Sequence, residues 1–143
     1  MKTTGYSVAT AYQHTHIVHA DPVQLVVLLY DGALSRIAEA RQRFQEGNRL
    51  QAELAVTKAQ AIIHELRNTL NREEGGEIAE NLHRLYLYIH DRLVVCLLDG
   101  RPEPLNEASA LLEELRGAWA EIARQYKEQT DRDRPLDGVA VRA

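Results

Sequence analysis

Apolar residues recur along this chain at steps of three and four, in four successive stretches separated by turn-forming residues. That period places each set on one face of a 3.6-residue helix, so four amphipathic helices are predicted. Asp21-Pro22 supplies an N-cap followed by a proline at the first helical position, and Gly47 stops the pattern, which bounds helix one at about Pro22 to Gln45. Its expected core face is Leu25, Leu28, Leu29, Gly32, Ala33, Ile37, Ala40 and Phe44. Asn48 can cap a second helix that carries Ala52, Ala55, Val56, Ala59, Ile62, Ile63, Leu66 and Leu70 inward and ends near Asn71. Gly75-Gly76 then breaks the chain. A third helix follows with Ile78, Leu82, Leu85, Ile89, Leu93 and Cys96 on one face, stopped by Asp99-Gly100-Arg101-Pro102. The fourth begins after Pro104, with Leu105, Ala108, Leu112, Leu115, Trp119, Ile122 and Tyr126 in register.

Helices of about 20 residues are each about 30 Å long at 1.5 Å per residue, and connections of a few residues force neighbours to run antiparallel. The expected fold is all-α, an antiparallel up-down four-helix bundle. It forms a single domain with an N-terminal arm (1–20), a bundle (21–129) and a mobile C-terminal tail (130–143) that opens on alternating Asp131, Arg132, Asp133 and Arg134.

Two stretches exceed what such a fold needs. Helix three adds Leu87, Tyr88, Val94, Val95 and Leu98 to its core face, so that Leu93 to Leu98 is apolar all round. Contiguous apolar surface of this kind marks a binding site or an oligomer interface, unless the helix is simply buried on more sides. The arm carries Tyr6, Val8, Tyr12, Ile17 and Val18 in an otherwise polar segment, which suits a strand of chain that packs onto something.

Composition removes several classes of function. At 143 residues, 45% of them apolar and 27% charged, the chain suits one globular domain. No apolar run approaches the roughly 20 residues of a bilayer span, and the first ten residues lack the apolar stretch of a secretory signal, so a cytoplasmic protein is expected. A formal charge of −4 with no concentrated basic face argues against nucleic acid. Cys96, the sole cysteine, precludes an internal disulfide.

Metal and catalytic chemistry finds little support. A di-iron bundle needs a Glu-x-x-His motif on each of two helices and a further carboxylate from each of the others. Only Glu80-Asn81-Leu82-His83 is present, and Leu82 at the core position turns Glu80 and His83 away from the centre. His14, His16 and His19 cluster in the arm without a rigid element to fix them. No cofactor, metal site or enzymatic activity is expected. One alternative remains: Ile63-His64-Glu65-Leu66-Arg67 is similar to the His-x-Leu-Lys helix of histidine phosphotransfer bundles, with Arg67 one turn from His64, although Asn68 stands where that family has a small residue.

Ala11-Tyr12-Gln13, Val18-His19-Ala20-Asp21-Pro22, Leu25 and Leu29-Tyr30-Asp31-Gly32-Ala33 resemble the opening of the flagellar secretion chaperone FliS family. Lys58 to Ile63, Leu66, Leu70-Asn71, Gly75 to Ala79, Asn81-Leu82, Leu85 to Ile89, Leu115-Arg116 and Trp119 continue the likeness in order. The resemblance implies a cytosolic chaperone that binds the disordered C-terminal segment of flagellin, prevents premature polymerisation and delivers it to the export gate component FlhA. Bound flagellin would lie as helices in apolar grooves, and the arm, through Tyr12, would cover that surface until the client arrives. The implied contact residues are Tyr12, Ile17, Val18, Tyr30, Leu82, Leu85, Tyr86, Tyr88, Ile89 and Val95, and uncovered grooves would allow a homodimer without client. Two departures from the family pattern stand out: His19-Ala20-Asp21-Pro22 replaces the usual Thr-Ala-Ser-Pro, and Leu87 replaces the acidic residue often found between the paired tyrosines.

Overall fold

A computed structural model of the chain describes residues 22–133. They form four helices and no strand: α1 (Pro22–Gln45), α2 (Arg49–Asn68), α3 (Arg72–Asp99) and α4 (Glu103–Arg132). Each helix packs on the next and α4 returns to α1, which closes an antiparallel four-helix bundle. The arm, including Tyr12, Ile17 and Val18, and the cap residue Asp21 lie outside the described residues.

The helix ends follow from local chemistry. The Asn48 side chain accepts from the Gln51 N–H at 3.2 Å and caps α2. Asn71 does the same for α3 through the Glu74 N–H at 3.1 Å, so α3 starts at Arg72, ahead of the expected glycine break. The break lies inside the helix instead: Gly76, with φ 53° and ψ −129°, kinks the chain after its first turn. Arg72 reaches across the kink and donates to Glu80 at 2.6 Å. At the far end Gly100 takes the left-handed conformation (φ 65°) and its N–H returns to the Cys96 carbonyl. The Arg49 guanidinium lies directly over Gly100, where it faces the negative end of the α3 dipole.

The core comprises Tyr30, Ala33, Ile37 and Ala40 of α1, Ala55, Val56, Ala59, Ile63 and Leu66 of α2, Tyr86, Ile89, Leu93 and Cys96 of α3, and Leu105, Ala108 and Leu112 of α4. α1 and α2 pack most extensively because their facing positions are small. Ile62 Cδ1 comes so near Gly32 that a Cβ there would sit 3.3 Å from it.

Three expectations about packing need correction. In the first half of α1 the buried stripe runs through Val27 and Tyr30, while Leu25, Leu28 and Leu29 are only partly buried. Ile78, assigned to the core, is 73% exposed because it follows the kink at the open end of the bundle. Ile122 and Tyr126 are exposed as well, since the inward position on this part of α4 is taken by Ala123. The same helix continues through Arg132, past the expected start of the tail at residue 130.

Candidate functional site

At the end of the bundle where α1 begins and α2 stops, an open, mainly apolar cleft of about 460 Å³ separates the helices. Val26, Leu70, Ile78, Leu82, Tyr86 and Trp119 line it, and Gly75 and Ala79 leave the space that larger side chains would fill. Its polar rim is largely satisfied from within: Thr69 Oγ1 donates to the Leu66 carbonyl at 2.7 Å, and Asn71 Oδ1 is held by the Glu74 N–H.

The floor is a buried pair of phenols. The hydroxyls of Tyr30, 0% exposed, and Tyr86, 1% exposed, lie 2.5 Å apart, with ring centroids 6.3 Å apart and tilted by 51°. Trp119 of α4 lines the same cleft. Burial pushes both phenol pKa values up; for Tyr30 the bond to Tyr86 adds to the rise and Trp119 partly opposes it. Both phenols are therefore neutral, at the cost of needing hydrogen-bond partners in a dry site.

Tyr30, Tyr86 and Ile89 were expected to meet a partner directly, yet all three belong to the core. A tyrosine on a helix reads as a surface residue unless a hydroxyl partner from another helix is known, and that partner is a tertiary fact. Leu82 and Leu85 are partly buried and pack on the core.

A second apolar surface lies on the outer sides of α3. Tyr88 is exposed, its hydroxyl donates to Glu107 of α4 at 2.5 Å, and the Arg92 guanidinium sits 5.4 Å from its ring centroid. Acceptance by Glu107 is the main reason the Tyr88 pKa is raised. Val95 is half-buried, while Leu87 and Leu98 are exposed, the latter by 76%. Leu50 and Leu54 of α2 add exposed apolar surface near the opposite end of the bundle from the cleft.

Val26, Leu70, Ile78 and Trp119 are cleft residues that sequence reasoning did not nominate. The usable signal was a large aliphatic residue two positions after a glycine pair, beside a kink that withholds it from the core.

Reactive chemistry is poorly provided for. Cys96 is buried and its thiol pKa is pushed up to about 11, chiefly by burial, which makes it a poor nucleophile. His64 is exposed on α2. Glu80 is engaged by Arg72, and among the described residues no three metal-ligating side chains converge. Among the described residues no helix is long and apolar enough to cross a membrane. What the arrangement offers is apolar area with a few placed hydrogen-bonding groups, the composition of a site that binds a chain segment.

Comparison with known proteins agrees in kind. The family profile described as flagellar protein FliS matches residues 5–126. The flagellar secretion chaperone FliSB of Pseudomonas aeruginosa is 39% identical over 104 residues, 73% of this chain and 82% of its own. The flagellar secretion chaperones FliS of Salmonella typhimurium and Bacillus subtilis are 35% and 32% identical, over 81% and 82% of this chain and 87% of each of theirs.

Proposed function

Because the chain belongs to the FliS family and is thus a flagellar secretion chaperone and not an enzyme, we propose that its client is the disordered C-terminal segment of flagellin. It holds that segment in the cytoplasm, prevents premature polymerisation and delivers it to the export gate component FlhA. The observation that carries this reading is the apolar area left uncovered on a bundle whose core is already complete: the cleft, and the surface around Leu87, Tyr88, Val95 and Leu98. An amphipathic client helix covers such surface with residues at i, i+3 and i+4, and part of the gross interaction energy goes into ordering the client.

The nominated residues divide by role. Leu82, Leu85, Tyr88 and Val95 touch client; Tyr30, Tyr86 and Ile89 shape the floor beneath it. Tyr12, Ile17 and Val18 belong to an arm that covers the cleft in the free protein. Support for that placement is local: the arm joins α1 at Pro22, one helical turn before Val26, which lines the cleft. Client displaces the arm, so that one element answers to both binding events. Without client, the same uncovered grooves allow two copies to associate.

Calorimetry with a flagellin C-terminal peptide tests the reading. Tight binding with a large negative heat-capacity change is expected, and Val95→Asp should weaken it while helicity is kept. No heat and no co-elution on a sizing column would refute it.

A further inference from the structure

Toward the C-terminal half of α3, Leu87, Tyr88 and Leu98 stand exposed, and they differ in what fixes them. The two leucines carry no polar atom by which a neighbour could hold them. Tyr88 is tied at two points. Its hydroxyl donates to the Glu107 carboxylate of α4 at 2.5 Å, and the Arg92 guanidinium, one turn along α3, lies over its ring 5.4 Å from the centroid. A bond at the tip of the ring restricts both side-chain torsions together, because few combinations of them carry the oxygen to Glu107. Arg92 is itself held, with only 29% of its side chain exposed and a contact to Asp91 at 3.5 Å. Neither tie serves the core, since Tyr88, Arg92 and Glu107 all lie outside it. An ordered aromatic ring that is still 41% exposed is the kind of side chain from which interfaces draw their anchors.

Resting on the reading that this surface receives a flagellar client, we infer that Glu107 is a positioning residue, which holds the Tyr88 ring in the orientation on which a client helix packs. The ordering that an aromatic side chain undergoes on binding is then complete in the free protein, and the client does not have to supply it. The ties also define what the ring offers. Its hydroxyl hydrogen is given to Glu107 and one face to Arg92, so a client finds packing area there and not a hydrogen-bond donor. Val95, seven residues on, falls on the same side of α3 and extends that area. The matching client chemistry is an aliphatic side chain on the apolar face of its helix, with no polar group aimed at the phenol.

The test measures the affinity of a flagellin C-terminal peptide for the full-length wild type, Tyr88→Phe, Glu107→Ala and the double variant. Tyr88→Phe keeps the ring and removes the tie; Glu107→Ala removes the same tie from the other side. Each should weaken binding about threefold to tenfold, and the double variant should be no weaker than either single one. Glu107→Gln keeps an accepting oxygen and should recover most of the affinity. Both positions are exposed, so helicity by circular dichroism should be unchanged in every variant. Weakening in only one single variant would mean that the client takes the hydroxyl or the carboxylate itself. Weakening that adds up in the double variant would mean that Glu107 acts apart from Tyr88, and no change in either single variant would mean that the tie is idle; each of these overturns the inference. The tie is also read without client. Acceptance by Glu107 is the first cause that raises Tyr88 above its ordinary 10.0, so Glu107→Ala should lower its titration, followed by NMR of the ring carbons. A titration that does not move overturns the inference even where binding changes. Failure of wild type to bind the peptide at all, with that titration shift intact, would instead sink the function from which this inference starts.

Discussion

Gly76 and Gly117 allow one substitution to be tried twice with opposite expected sign. Gly76→Ala puts a Cβ where nothing lies within 4 Å, so no contact is lost or strained; the whole cost is backbone, because φ 53° with ψ −129° is a conformation that L-residues rarely adopt. Holding a non-glycine residue there costs about 1–3 kcal/mol, and the stiffer unfolded chain returns about 0.4–1 kcal/mol. A net destabilisation of about 1–2 kcal/mol follows. Gly117 also has open space around it, but it lies within α4 and takes no positive φ. There alanine should stabilise by about 1 kcal/mol. At this chain length 1 kcal/mol moves Tm by roughly 2–4 °C, so the two variants should lie on opposite sides of wild type in thermal melts and in urea midpoints at constant m. If Gly76→Ala stabilised the protein as Gly117→Ala does, the kink would not need glycine, α3 would be free to straighten, and the account of the cleft built on that kink would fall.

Other expectations are simpler. Leu93→Ala, at a fully buried position, should cost about 2–5 kcal/mol in urea unfolding. Arg116→Ala breaks the ion pair with Asp31 between α4 and α1, but both side chains are well exposed, and the loss should stay under about 1 kcal/mol. Stability should fall as pH rises from 9.0 to about 11, because the unfolded chain releases the Cys96 proton near its ordinary 9.0 while the native protein holds it to about 11. In that window the native state binds more protons; the contribution is fully present below pH 9 and is lost as pH passes the native value, so Cys96→Ala should flatten the decline. The same burial should keep Cys96 from reacting with a disulfide reagent at pH 8 until the protein unfolds.

The bundle was legible because its punctuation is local. Pro22, Gly47 and Asn48 act within one turn, and α1 and α2 begin and end close to where those residues put them. The core of α2 was legible too, since Ala52, Ala55, Val56, Ala59, Ile63 and Leu66 keep one phase throughout. Tyr30 and Tyr86 were not, because their burial depends on a hydroxyl partner 56 positions away. Ile78, Ile122 and Tyr126 kept the core period, but the chain kinks just before Ile78 and α4 turns Ala123 inward in place of Ile122, and periodicity alone does not say which of two neighbouring positions the packing will choose. The surplus on α3 was visible as composition; that Leu87 and Leu98 spend it on the surface and Val95 only half does so had to come from the packing.

The small-residue seam between α1 and α2 has a consequence in time. Ala33 and Ala40 of α1 share the core with Ala55 and Ala59 of α2 across a loop of three residues, so the most extensive interface in the bundle joins chain neighbours and closes at little cost in chain entropy. During synthesis α1 and α2 precede α3 along the chain and leave the ribosome first, so their hairpin can close before α3 has fully emerged. The later half, with its kink and its uncovered Leu87 and Leu98, is then laid against a hairpin already in place, and the cleft, walled by Val26 and Leu70 on one side and by Ile78, Leu82 and Trp119 on the other, is completed only as the two halves meet.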